Sequence, residues 1–223
     1  MAHIKYYTPA NIEVPSVTTI IGNNLGWNKN MLIAWSKKLA LKEGRDSEEV
    51  TKEAGEIGTI THYLCECKIK NETPDISLYK KEYLKQAKNG YLAFCDWEKE
   101  WRPDQYVHSE IQLVNNKHLY GGTIDLVVKK NNELHILDLK TSNHIHPEMV
   151  IQLAAYKHLY EENNKDKIKS MGIIKLSKKE QKYEFYPITT EQCEAGWKVF
   201  LSLLEVEKYK SILSKFGKGN KSE

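Results

Sequence analysis

GGTIDLVVKKNNELHILDLKTSN, residues 121–143, is the stretch on which the rest of the chain depends. Two apolar runs flank Asn131-Asn132, a pair suited to the tight turn of a β-hairpin. Asp125, Asp138 and Lys140 stand inside those runs. Residues two apart share a strand face, so Ile136, Asp138 and Lys140 project one way while Leu137 and Leu139 enter the opposite layer. A hairpin turning at Asn131-Asn132 pairs residues whose numbers sum to 263, which sets Asp125 opposite Asp138, with Cβ atoms about 5 Å apart. Two like charges that close destabilise a sheet unless a cation lies between them. Two carboxylates with several waters suit Mg²⁺ or Mn²⁺. Lys140 falls one step beyond, where it can orient water and stabilise charge on a phosphate. A D-x-K tripeptide alone is an ordinary strand end with a surface ion pair; the second Asp opposite it gives the metal reading its weight.

Outward from the hairpin, 106–114 alternates as a strand before 119–129 and 133–140, so the three form an antiparallel meander. Pro147 opens a helix at N1 that reaches Asn163. A strand follows over 168–176, then an edge strand over 182–187, and Thr189 or Thr190 caps a last helix with Glu191 in its first turn. Upstream, 1–28 is punctuated by Pro and Gly and reads as irregular, with a β-prone run at 17–21. Three helices follow: 29–43 with Met31, Leu32, Trp35 and Leu39 near one face, Ser47 to about Lys70, and 78–101 before Pro103. Gly55 and Gly58 inside the second helix each cost about 1 kcal/mol relative to Ala, so a kink or a close neighbour should compensate. Helices, a meander, a helix, further strands and a helix predict a mixed α/β sheet flanked by helices.

Bulk composition narrows the function only a little. Net charge is +3, from 33 basic against 30 acidic residues, which permits nucleic-acid binding without arguing for it. Cys65, Cys67, Cys95 and Cys193 lack paired C-x-x-C spacing, so they read as reduced thiols of a cytosolic protein rather than a zinc site. The first residues carry no apolar h-region and are not Arg-rich, and no run of about 18 apolar residues occurs. Cytoplasmic location is the expectation.

GTID, twelve intervening residues and DLK resemble the PD-(D/E)XK nuclease superfamily. GTITHYLCE has the shape G-x-x-x-H-x-x-x-E on a helix, and IQLAAYKHLY carries Q-x-x-x-Y on the helix after the third strand; both are similar to the RecB-like exonuclease branch. VPSVTTIIG before a Trp-containing helix resembles the opening of phage-type exonucleases and the mitochondrial genome maintenance exonuclease. The likeness spans residues 14–160 and implies a restriction-endonuclease-like core within a single nuclease domain. That domain would comprise a helical part at 1–104 carrying the histidine motif and a catalytic sheet and helix at 105–188. A C-terminal helix would follow at 189–215, and a flexible basic tail at 216–223.

The resemblance implies that His62 contributes a metal ligand, that Asp125 and Asp138 are acidic ligands, and that the Leu139 carbonyl completes the shell. It implies that Lys140 is the catalytic lysine and that Gln152 steadies that lysine or the scissile phosphate, with Tyr156 one turn on. Without the family, a helix histidine is a packing or surface residue, and Gln152 and Tyr156 are ordinary helix contacts. Glu66, four residues after His62, shares its face and is either a partner fixing the imidazole or a plain exposed acid. Glu110 either approaches the site or faces solvent on its strand. Ser16, Thr18 and Thr19 suit phosphate through hydroxyls and backbone N–H groups, or simply cap a turn. Trp35 suits base stacking, though most such residues are core. Relatives of this branch often hold an iron–sulfur cluster on one cysteine before the histidine motif and three late ones. Here none precedes His62 and only Cys193 is late, so no such cluster is expected. A Mg²⁺- or Mn²⁺-dependent DNA exonuclease acting on single strands or ends in replication, recombination or repair is the leading expectation. A structure-specific endonuclease and an inactive nucleic-acid-binding homologue are the alternatives.

Overall fold

The computed structural model describes residues 4–214 and 216; the tail expected at 216–223 lies outside them apart from Phe216. A small hairpin, β1 (Tyr6–Tyr7) with β2 (Glu13–Val14), leads into α1 (Val17–Asn24), α2 (Lys29–Lys38), α3 (Ser47–Lys70) and α4 (Lys81–Trp101). The meander follows as β3 (Gln105–Asn115), β4 (Tyr120–Lys130) and β5 (Glu133–Lys140). Then come α5 (Pro147–Asn163), β6 (Ile168–Leu176), β7 (Tyr183–Ile188) and α6 (Thr190–Leu213). The five-stranded sheet has the order β3-β4-β5-β6-β7, antiparallel except for β5–β6. The β5–α5–β6 crossover makes that pair parallel and leaves β5 in the centre.

Two cores sandwich the sheet. Ile124, Val127 and Ile136 pack beneath α5, α6 and α1, against Leu153, Tyr156, Leu159, Phe200 and Ile20. Leu126, Val128, Leu137 and Leu139 pack the other way, against Cys65 of α3 and Phe94 and Trp97 of α4. Ile136 thus lies opposite in layer to Leu137 and Leu139, as the period of two requires. The hairpin turn has Asn131 at φ 52° and Asn132 at φ 63°, the left-handed pair a two-residue turn demands. It sets the register Leu126–Leu137 and Val127–Ile136 that the numbering predicts.

Two expectations for the N-terminal part fail. The run 17–21 is not extended but opens α1, where the Ser16 hydroxyl accepts the Thr19 N–H at 3.0 Å. Val17, Ile20 and Ile21 are buried at helical spacing, and burial outweighs β-branched propensity. The second concerns the apolar face of α2 and not the helix itself, which forms over 29–43 as expected. It continues through a π turn at Leu39–Glu43 and closes at Gly44 (φ 61°), but Met31, Leu32 and Trp35 are exposed and only Leu39 is buried.

In α3, Gly58 has its close neighbour: a Cβ there would meet Thr141 Oγ1 at 3.1 Å, whereas Gly55 faces open space. Gly122 on β4 is tighter, since a Cβ would sit 2.6 Å from the Tyr156 ring. Gly122→Ala is therefore expected to destabilise the fold by about 1–3 kcal/mol through overpacking, read as a lower urea midpoint at unchanged m. An unchanged midpoint would mean that the ring yields freely.

Candidate active site

At the open end of the β4–β5 ladder the strands part. Backbone pairing stops at Leu126–Leu137, and the next amide, that of Leu139, donates to Asp125 Oδ2 at 2.7 Å instead of to β4. The β3–β4 ladder also steps past this point, pairing Ser109 with Leu126 and Ile111 with Ile124. Glu110, between them, has φ 53°, a left-handed conformation that a non-glycine strand residue adopts only under local strain. Ile124 and Leu126, two apart, enter opposite cores, so the alternation slips at Asp125. The slip turns Glu110 and Asp125 out of the apolar layers and toward α3.

His62 of α3 meets them there. Its Nδ1 lies 3.3 Å from Glu110 Oε1 and 3.8 Å from Asp125 Oδ2, and its Nε2 lies 3.0 Å from the Leu139 carbonyl. With Nε2–H donating to that carbonyl, Nδ1 is the nitrogen turned toward the carboxylates. One ligand atom from each of His62, Glu110 and Asp125 lies within 4.8 Å of the other two. Burial lowers the basicity of His62, but the charge of Asp125 and the bond and charge of Glu110 outweigh it and lift the imidazole to about 9. The two acids thus hold a proton where a metal cation fits.

Asp138 and Lys140 complete the cluster from β5. Asp138 is 1% exposed. Lys140 Nζ lies 2.6 Å from its Oδ2 and pairs with it, whereas Oδ1 is buried without a hydrogen-bond partner. Burial pushes the Asp138 carboxyl up to about 6 against the charge of Lys140, with Asp125 adding to the rise. Burial alone would lower Lys140, yet Asp138 and Asp125 keep its ammonium above the usual range. Asp138 adds a buried carboxylate with one unpartnered oxygen, within electrostatic reach of Asp125 and His62, to the trio of ligand atoms from His62, Glu110 and Asp125, and this is the donor chemistry of a hard divalent cation site.

From α5, Gln152 Nε2 donates to the Tyr156 hydroxyl at 2.9 Å. Burial raises the Tyr156 phenol, and the charges of Asp125 and Asp138 raise it further, so its O–H keeps its proton beside the acids. A cleft of about 740 Å³ opens over His62 and Glu110, lined also by Tyr63, Glu66, Gln112 and Thr123.

A model of the PD-(D/E)XK nuclease superfamily matches residues 37–212, most of the chain and all of the cluster just described. The chain belongs to the PD-(D/E)XK nuclease superfamily. Its mixed five-stranded sheet with helices on both faces is consistent with the restriction-endonuclease-like core. One similar solved structure is a protein from Eubacterium rectale provisionally named an exonuclease, 13% identical, with 70% of this chain and 68% of that one covered at a TM-score of 0.49. Another is SSO0001, 11% identical, with 70% and 87% covered at a TM-score of 0.32. No curated protein sequence matches.

Of the residues expected at the site of this nuclease, the fold brings together His62, Asp125, Asp138, Leu139, Lys140, Gln152 and Tyr156. Glu110, read from sequence as either approaching or solvent-facing, touches His62 directly. Glu66 does not: it lines the cleft but pairs with Lys70 at 2.5 Å. Ser16, Thr18 and Thr19 bond to one another around the α1 cap, and all three line a separate groove of about 1180 Å³. Trp35 stands exposed on α2 and lines neither cleft nor groove. Tyr6 and Thr123, whose hydroxyls meet at 2.8 Å beside the cleft, escaped sequence reasoning, because nothing in KYYTP marks one tyrosine over the other. No helix among the described residues is long and apolar enough to cross a membrane.

Proposed function

We propose that this nuclease is a Mg²⁺- or Mn²⁺-dependent DNA exonuclease that takes single strands or free ends. The observation that carries the reading is the buried Asp138–Lys140 pair, tied through the Leu139 amide to the His62–Glu110–Asp125 cluster. His62, Glu110, Asp125 and Asp138 would hold the ion, with the Leu139 carbonyl bonded to His62 and available to the same site. When bound, a divalent cation supplies the Lewis-acid charge for phosphodiester hydrolysis.

The remaining work falls to the chain. Lys140 keeps its proton and directs it at a non-bridging phosphate oxygen, offsetting the charge that builds as water attacks. Asp138, next to it, orients the water for in-line approach. The bond from water oxygen to phosphorus forms as the attacking water gives a proton to bulk water, the bond from phosphorus to one sugar oxygen breaks, and that oxygen takes a proton from bulk water as it leaves. Gln152 fixes the Tyr156 hydroxyl by donating to it, which leaves the phenol proton to donate onward.

The test is digestion of end-labelled DNA, linear and covalently closed circular, single- and double-stranded, with Mg²⁺, Mn²⁺ or chelator. Linear single strands should shorten from an end, circles should survive, and chelator should stop the reaction. Cut circles would replace the exonuclease with an endonuclease; no cleavage of any form would remove the nuclease activity itself.

A further inference from the structure

The geometry points to a phosphate subsite made by the hydroxyls of Tyr6 and Thr123, where the strand passes from the catalytic cleft into the neighbouring groove. The inference rests on the nucleic-acid reading above and specifies how that strand is held. Thr123 lines the cleft that contains His62 and Glu110. Tyr6 lines the groove that contains Ser16, Thr18 and Thr19. Ile4 borders both, so the segment leading into β1 forms the sill between the two spaces.

The sill is built, not incidental. Gly121 leaves the space that the Tyr6 ring fills; a Cβ there would come within 2.5 Å of it. Gly121 N–H donates to the Pro15 carbonyl at 3.0 Å, and Ser16 forms a parallel bridge with Gly121. The Tyr6 ring is thereby fixed on β4, and its hydroxyl arrives 2.8 Å from Thr123 Oγ1. Thr123 lines the same cleft as His62 and Glu110 and lies two residues from Asp125, so the pair sits at the edge of the acidic site.

Donor counting assigns the ligand. Two hydroxyls that share one hydrogen bond use one of their two protons and leave the other to donate. Among the described residues neither hydroxyl has a second hydrogen-bond partner. The spare donor lies on the cleft of Glu110 and two residues from Asp125, whose carboxylates repel an anionic backbone. A neutral O–H can bind a phosphate oxygen there without adding a cation that would compete with the metal. A non-bridging oxygen of a phosphate flanking the cut fits this donor.

The arrangement predicts an unusual mutational pattern. Tyr6→Phe keeps the ring in its notch and Thr123→Val keeps the strand shape; each leaves the other hydroxyl as a donor. Each single variant is expected to raise KM less than about threefold, and the double variant about tenfold to a hundredfold, with kcat unchanged within about threefold. Oligonucleotides with one neutral methylphosphonate at successive positions flanking the cut locate the contact. In the parent one position should carry a KM penalty, and in the double variant that penalty should vanish. A double variant with parental KM, or with raised KM but the parental methylphosphonate pattern, overturns the subsite and leaves the nuclease reading standing. A parent chain that cuts no nucleic acid with either metal overturns both.

Discussion

Lys140→Ala is expected to slow phosphodiester cleavage about 10²- to 10⁴-fold, the loss seen when a charge-stabilising or proton-holding group is removed. Two effects combine. The ammonium aimed at the phosphate disappears. Asp138, whose carboxyl burial already pushes up to about 6, also loses the cation that holds it down. Its pKa rises further, so the acid keeps its proton to higher pH and competes longer against a metal ion. The rate of the variant should therefore climb at higher pH than that of the parent, and more Mn²⁺ should be needed at any given pH. Single-turnover rates across pH and metal concentration read both effects. A variant within tenfold of the parent, with the same pH profile, would remove Lys140 from the chemistry.

Asp138→Asn should separate function from stability. The folded protein raises this carboxyl from 3.8 to about 6 through burial. A group with a raised folded pKa contributes its full stability below the unfolded value and loses it as pH rises through the folded one. At neutral pH without metal, the ionised Asp138 therefore costs the fold on the order of 1–3 kcal/mol. Asparagine removes that cost, while Asp125 remains to hold the buried Lys140 ammonium. The variant should be inactive yet more stable than the parent in chelator at pH 7, with the difference fading toward pH 4. Added Mn²⁺ should stabilise the parent, by about 2.7 kcal/mol at a hundredfold excess over Kd, and should leave the variant largely unmoved. Urea unfolding at several pH values checks this. An asparagine variant less stable than the parent at every pH in chelator would mean that the Asp138–Lys140 pair outweighs the cost of burying the carboxylate.

The hairpin was legible because turn chemistry sets register locally. Asn131-Asn132 alone determines that Leu126 meets Leu137, and the helices carrying His62 and Gln152 follow from caps and spacing. What sequence could not supply were departures from regularity. YVHSEIQLV reads as an uninterrupted strand, yet Glu110 turns left-handed and is thereby swung onto His62. Hairpin arithmetic set Asp125 against Asp138 within a ladder, whereas the strands open one residue earlier and Leu139 N–H goes to the Asp125 side chain. Propensity favoured a strand at 17–21, but the Ser16 cap and the burial of Ile20 decided for helix. Glu66 shares the His62 face by periodicity, and Lys70, a turn further on, captures it instead. Each miss is a tertiary choice among local options of similar free energy.

The ion cluster draws His62 from α3, Glu110 from β3, Asp125 from β4 and Asp138 from β5, so no fragment of the chain contains it. The whole of α4, β3 and β4 separates α3 from β5 along the chain, so the cluster closes only when β5 takes the central place in the sheet and α3 packs against the same sheet.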